Sequence, residues 1–514
     1  GPTAGWSGTL SAGGGTIQAS TVVIGGEGAG TLNLANTDLT ANANPYYGAL
    51  VVGLTGNAVG TVNQAGGTVT ANNNYIIIGR YNNAQGTYTI TDGTLRTAGS
   101  SGDRNLYVAW DSSAARGTLN VAGTGLVDLA GSLQTGSGTP AVNVSGTGNL
   151  VASPGVPIYV GSRAVANMGT GYFTQTGGTV TAGGGIVLAN QSGTNGYYRL
   201  LGGTLSATSI SQGPGNGQFT FAGGTLDVDT VNMSLTHNGG SLAPGGVGAI
   251  GTTTVTGSYD YTMAPAVLNW ALESVGSTAW QSSTYSSSYP AVRAIDGNLN
   301  TSSNFSHTLA SDSLQQWQVD LKGDMPLSQI VIYNRYTNGN RLVTDGGFRA
   351  SVLDGSTVVW TQDFVGATYT HPFVITLPSG VAGDMVRLNK IGYMPTNDNR
   401  TFNLTEVQAL SPTLTPSLDL EIDAASRTCD RLIVGGQLTL SGTLNVSLLG
   451  GTLAENMVFD LLDWASLSGQ FDQINLPNQM AWDTTQLYVT GEIRAIPEPA
   501  SLGLLAAGLA AVGG

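Results

Sequence analysis

Apolar and polar residues alternate along the chain in short runs that keep returning after a Gly-Thr pair. The register reads Gly30-Thr31-Leu32-Asn33-Leu34, Gly60-Thr61-Val62, Gly86-Thr87-Tyr88-Thr89-Ile90, Gly117-Thr118-Leu119-Asn120-Val121, Gly171-Tyr172-Phe173, Gly196-Tyr197-Tyr198 and Gly217-Gln218-Phe219-Thr220-Phe221. With Gly8-Thr9-Leu10 and Pro140-Ala141-Val142-Asn143-Val144 this makes nine copies, spaced roughly 21 to 31 residues apart, the interval at which solenoid coils recur. The period of two sends Leu32, Leu34, Leu119, Val121, Phe219 and Phe221 to one face and Thr and Asn to the other.

Each copy carries two further segments. A glycine turn leads into a second strand, as in Gly66-Gly67-Thr68-Val69, Gly177-Gly178-Thr179-Val180 and Gly202-Gly203-Thr204-Leu205, where glycine supplies the positive φ of a tight corner. A third run is apolar throughout and ends on a small residue: Leu50-Val51-Val52-Gly53, Ile76-Ile77-Ile78-Gly79, Leu106-Tyr107-Val108-Ala109. Three strands per copy predict an all-β fold, a triangular parallel β-helix whose coils stack at about 4.8 Å, so nine coils would extend on the order of 43 Å.

Composition alone would suggest disorder, since charged residues are only 9% of 514 while glycine numbers 76; the β-branched alternation argues against it. The net charge of -14, with Lys322 and Lys390 the only lysines, excludes a phosphate-neutralising surface and hence a nucleic-acid partner. One cysteine, Cys429, excludes an internal disulfide framework and a cysteine-based zinc site, and reads as a small buried apolar residue. The chain opens on Gly1, which we take as mature protein after export.

The repeats stop near residue 262. From Asn269 to Leu410 they vanish, Trp270, Trp280, Trp317 and Trp360 enter, and both lysines and two of the three histidines fall inside. The repeat grammar returns at Leu438-Thr439-Leu440-Ser441-Gly442-Thr443-Leu444-Asn445-Val446. We therefore divide the chain into a solenoid at 1–268, an inserted unit at 269–411, a solenoid continuation at 412–495 and a tail at 496–514, the insertion entering at a corner loop.

The tail reads Pro497-Glu498-Pro499 and then Gly, Ala, Leu and Val to Gly514, too short to span a bilayer. It resembles the PEP-CTERM sorting signal of exported bacterial proteins, without the arginine cluster that follows there, and is expected to form a short apolar helix touching the membrane only transiently. The block Leu418 to Arg494 resembles the C-terminal region of autotransporter-like repeat proteins bearing that signal. An extracellular or cell-surface location follows from these resemblances.

Within the insertion, Ala291-Val292-Arg293-Ala294-Ile295-Asp296-Gly297-Asn298 precedes Ser306-His307-Thr308; then come Trp317-Gln318-Val319-Asp320-Leu321, Ile330-Val331-Ile332-Tyr333-Asn334-Arg335, Arg341-Leu342 and Leu404-Thr405-Glu406-Val407. In this order they resemble the discoidin or coagulation-factor type C fold, most closely its fucolectin branch. The resemblance implies a β-sandwich jelly roll whose loops at one end bind ligand, with calcium held by the Arg293 carbonyl, the Asp296 carboxylate, the Asn298 carbonyl, a group from Ser303 or Asn304, and Glu406. Calcium is suited by such a set, since it takes about six to eight oxygen ligands and short turns present carbonyls beside carboxylates. By the same resemblance a sugar site would use His307, Arg335 and Arg341, a ring and two planar forks that suit vicinal hydroxyls. The segment Arg335 to Arg341 lacks the Asp and the cysteine pair of fucolectins, which leaves fucose unassigned.

For catalysis the repeats offer Asp227 and Asp229, two apart on one strand and so on one face, readable as a carboxylate pair or a solvated edge; we assign no catalytic residue. Tyr46-Tyr47 and Tyr197-Tyr198 could stack on sugars, although Tyr198 alternates inward. The sequence thus predicts a non-enzymatic structural or adhesive protein whose partner is a surface or matrix polysaccharide. The alternatives are a subunit that self-associates into a filament through its end coil and tail, and a polysaccharide lyase or hydrolase on a β-helix.

Overall fold

The computed structural model describes residues 7–42, 48–100, 103–162, 169–261, 267–299, 303–335, 342–343, 346–391 and 401–497. They form a 29-stranded, almost wholly parallel β-solenoid, a pair of antiparallel sheets of five and four strands, and a small three-stranded sheet near the C-terminal end. The described helical structure is confined to short turns, among them Glu273–Val275 and Ala291–Ala294.

The repeat register read from the sequence is the stacking register. Leu32 pairs with Val62, Val62 with Tyr88, Tyr88 with Leu119, Leu119 with Val142, and so through Phe173 and Tyr198 to Phe219, one residue per coil in a single column. Parallel stacking puts like side chains over like, so rings face rings: Phe173 and Tyr198 lie 4.5 Å apart at 10°. On the outer surface the same stacking turns asparagines into amide ladders, with Asn63 donating to Asn33 at 2.8 Å and Asn143 to Asn120 at 2.9 Å. The uninterrupted third run also has a cause, because its middle residues Val51, Ile77 and Tyr107 point outward and are covered by Leu54, Tyr75 and Trp110.

At the glycine corners the coils touch backbone to backbone: Gly203 has φ +75°, and a Cβ there would sit 2.3 Å from the Gly178 carbonyl oxygen. The corner carbonyls need donors, which polar residues at inward positions supply. Gln64 donates to the carbonyls of Gly67 and Thr94 at 3.0 Å each and receives the Tyr88 hydroxyl at 2.6 Å. Gln175 repeats this with Thr204 and Tyr198.

The solenoid closes over the insertion as though uninterrupted. Gly240–Leu242 pairs with Pro416–Leu418, Thr252–Val255 with Arg431–Val434, and Tyr259–Tyr261 with Leu438–Leu440. The insertion leaves and returns side by side, where Trp270 N–H donates to the Ala409 carbonyl at 2.9 Å. Its five-stranded sheet runs Thr278–Gln281, Gln316–Pro326, Ala382–Lys390, Phe348–Asp354, Thr357–Phe364; the four-stranded sheet runs Ser306–His307, Asn403–Leu410, Gln329–Asn334, Phe373–Thr376. Strict alternation along Gln316–Pro326 sends Trp317, Val319 and Leu321 into the core between the sheets, with Phe348, Val386 and Val407.

The insertion is docked on the solenoid flank, which corrects one expectation. Arg199 at this contact is 2% exposed, and its guanidinium donates to the carbonyls of Leu321 at 2.6 Å and Val275 at 2.5 Å. Tyr197, considered for sugar stacking, lies against Tyr172 at 5.4 Å and is buried under the same contact. Burial lowers the Arg199 pKa to about 10, which leaves it charged at neutral pH. Tyr198 faces the core, as its alternation requires, whereas Cys429 is only half-buried, its thiol on the Asp460 carbonyl. Tyr46, Tyr47, Arg341 and the expected C-terminal helix lie outside the described residues, as do Glu498 and Pro499. No helix among the described residues is long and apolar enough to cross a membrane.

Candidate functional site

The loops at one end of the sandwich bring together most of the residues expected to bind ligand. His307 closes the short edge strand Ser306–His307, Arg335 follows the strand Gln329–Asn334, and the strand Asn403–Leu410 runs between them. Asn403 is the hinge of this arrangement: it is the register partner of His307, and its carbonyl accepts the Arg335 N–H at 2.8 Å. Its own side chain is fixed by donating to Thr401 Oγ1 at 2.8 Å, while Oδ1 is buried without a hydrogen-bond partner.

Aromatic rings set the pose of both basic residues. His307 stacks on Tyr285 with centroids 4.7 Å apart and meets Tyr289 edge-on at 6.0 Å. The Arg335 guanidinium carbon lies 4.3 Å from the centre of the Phe305 ring, a cation–π contact. Tyr285, Tyr289, Phe305 and Asn403 were not singled out by sequence reasoning. The tyrosines sit in a serine-rich loop with no periodicity, and an asparagine at a strand start carries no signal of its own.

A few residues away the two expected carboxylates converge on one loop. The positive φ of Gly297, +78°, turns the chain so that its N–H donates to Glu406 Oε2 at 3.2 Å. Asp296 accepts from the Asn298 N–H at 2.9 Å and from the Asn304 amide at 2.8 Å, and Arg293 donates to Asn304 Oδ1 at 2.9 Å. Glu406 is fully buried and its Oε1 has no hydrogen-bond partner. Burial pushes its pKa up to about 7, moderated by the Gly297 hydrogen bond and reinforced by the Asp296 charge. The arrangement differs from the implied one at Arg293, whose guanidinium reaches this loop and donates to Asn304 Oδ1 and the Ser303 carbonyl. Among the described residues no three His, Cys, Asp or Glu side chains cluster as a metal site, so a cation here would depend on backbone and amide oxygens.

In the solenoid the Asp227 and Asp229 pair is asymmetric. Asp227 is half-buried and accepts from Ser206 Oγ at 2.8 Å, burial and the neighbouring Asp229 raising its pKa, while Asp229 is exposed.

Residues 278–406 match the F5/8 type C domain family. The chain therefore carries a discoidin-type β-sandwich inserted in a β-solenoid. Similar solved structures include the fucose-binding module SpX-3 of Streptococcus pneumoniae, 27% identical over 28% of this chain and 96% of that one, TM-score 0.24. The lectin domain of lectinolysin, solved with Lewis b antigen, is 26% identical over 28% and 96%, TM-score 0.24. A fucolectin from striped bass (Morone saxatilis) serum is 24% identical over 28% and 49%, TM-score 0.23. Curated proteins gave no match.

Proposed function

We propose that this chain is a non-enzymatic adhesive protein of the bacterial cell surface, a β-solenoid that presents a calcium-stabilised carbohydrate-binding module to a surface or matrix polysaccharide. The carrying observation is the convergence of His307 and Arg335 on either side of Asn403, each held by an aromatic ring at the loop end of the sandwich. A ring nitrogen and a planar guanidinium together suit neighbouring sugar hydroxyls, which both donate and accept. The aromatic side chains supply apolar faces for the C–H faces of a pyranose.

The loop of Asp296 and Glu406 fits a calcium ion. Two carboxylates meet there, and one buried oxygen of Glu406 has no donor. The ion would be held by Asp296 and Glu406 with oxygens from Arg293, Asn298 and Asn304, and would neutralise their charge and fix the loop. Asp296 positions Asn304, and Gly297 positions Glu406. The PEP-CTERM-like tail supports export and the surface location. A glycan array probed with the full chain, with calcium and with chelator, tests the reading: binding that weakens on chelation supports it, and no binding in either condition removes the lectin role.

A further inference from the structure

We infer that the groove between the solenoid and the inserted module is a second carbohydrate site, built for an extended neutral polysaccharide and separate from the loop-end site. It exists only because Arg199 and Tyr172 dock the module on the flank of the coils. Two depressions of about 420 and 630 Å³ lie there, and a third of about 470 Å³, lined by solenoid residues alone, continues from them along the coils; all three share Arg116 and Thr139. Together they pass over five successive coils, those of Asn57, Asn83, Ser113, Gly138 and Thr170. At about 4.8 Å per coil, four intervals span on the order of 19 Å, long enough for several sugar rings in a row.

The module's wall has the residues such a ligand needs. Trp280 is 48% exposed on the outer face of the five-stranded sheet, beside its register partner Gln318. Gln318 Oε1 accepts from Arg387 at 3.0 Å and from Gln316 at 2.7 Å, so the amide plane is fixed. Its nitrogen has no partner among the described residues. An immobile amide beside an exposed indole offers a hydrogen-bond donor and an apolar platform at once, the pairing a sugar ring requires.

The solenoid wall is complementary. The Arg116 side chain has no hydrogen bond or ion pair among the described residues. The amide ladder that runs up the coils ends at Asn143, which donates to Asn120 and whose Oδ1 is buried without a donor. The next rung, Thr174, is taken by the module through the Lys322 carbonyl at 3.3 Å. Asn143 lines the groove at the point where the module interrupts the ladder.

Charge narrows the ligand. Against Arg116 and Lys322 the groove sets Asp320, Asp324, Asp354 and Asp384, and Lys322 is already paired with Asp320 at 2.5 Å. A uronate or sulfated chain would be repelled. Neutral glycans meet donors and acceptors without that cost.

The test uses the full chain in affinity electrophoresis and titration calorimetry with mixed-linkage β-glucan, xyloglucan, galactomannan and dextran, and heparin as the anionic control. At least one neutral polymer is expected to bind and heparin not to. Trp280→Ala and Arg116→Ala should each weaken that binding tenfold or more with melting temperature unchanged, Trp280→Phe should retain most of it, and the double variant His307→Ala/Arg335→Ala should leave it intact. If no neutral polymer binds, or if Trp280→Ala and Arg116→Ala bind like the parent, the groove is not a glycan site. If the loss follows His307 and Arg335 instead, all binding belongs to the loop end and the inference is overturned while the proposed function stands.

Discussion

The guanidinium of Arg199 donates to the Leu321 carbonyl across 2.6 Å, joining an outward position of a solenoid strand to the core strand of the inserted sandwich. The neighbouring Thr174 meets Gly323 so closely that a Cβ on the glycine would lie 2.5 Å from Thr174 Oγ1. The module is thus seated by directed contacts in addition to its two connecting strands.

Replacing Arg199 with Met keeps the length and removes the donors, leaving the buried carbonyls of Leu321 and Val275 unsatisfied. The expected loss is about 3 kcal/mol at the interface. It should appear in calorimetry as separation of the module's unfolding from that of the solenoid, and in limited proteolysis as faster cleavage of the connections. A single unchanged transition would show that the seat does not depend on Arg199.

Glu406 gives the module a pH signature. Its folded pKa of about 7 lies above the value of an exposed carboxyl, so the folded state holds a proton that the unfolded chain has released. Without calcium, stability is therefore fully present below about pH 4.5 and declines as the pH rises to about 7. Calcium binds the ionised form, so millimolar ion should flatten the decline; at about 100 times Kd it adds about 2.7 kcal/mol. Glu406→Gln should abolish both the slope and the calcium response in thermal melts at pH 5, 6 and 7.5. A calcium response that survives this change would move the ion elsewhere.

At the loop end the Arg335 guanidinium lies over the Phe305 ring, and in the proposed sugar site it would act as a planar fork more than as a charge. Arg335→Lys keeps the charge and loses the fork, and is expected to cut affinity for the bound glycan about tenfold, with Arg335→Ala losing more. Equal binding by the lysine variant would reduce the residue to a simple positive charge.

How far the sequence could be read depends on what kind of contact each residue makes. The column from Leu32 to Phe219 was legible because stacking repeats the same local pattern in every coil, and alternation fixes which residues turn inward. Asp296 and Glu406 were legible through motif order, and the fold brings them to one loop. Arg199 and Tyr197 were not, since alternation tells which side of a strand a residue occupies and nothing of what covers that side. Asn403 and Tyr285 act through the antiparallel register of distant strands, which leaves no mark on sequence spacing. Gln64 and Gln175 break the apolar pattern at inward positions because the glycine corner exposes carbonyls that need a donor.

His237 is a third instance of that corner device. Its Nε2 lies 3.0 Å from the Gly240 carbonyl and its Nδ1 2.7 Å from the Tyr259 hydroxyl, as Gln64 joins Gly67 to Tyr88. The ring also stacks on Phe221 at 4.2 Å, one coil below. Burial drives its pKa down to about 3, so the folded state keeps it neutral while the unfolded chain takes up a proton near pH 6.5. This contribution is fully present above about pH 6.5 and is lost as the pH falls toward 3, opposite in sign to that of Glu406. His237→Gln restores the donor and acceptor of the other corners and should stay within about 1 kcal/mol of the parent while removing the acid-side slope. His237→Ala leaves a cavity and an unsatisfied Gly240 carbonyl, and should cost about 3 kcal/mol. Denaturant melts of both variants at pH 7.5 and pH 5 decide it: a glutamine variant as damaged as the alanine one would mean that ring stacking, not the corner hydrogen bonds, holds this coil.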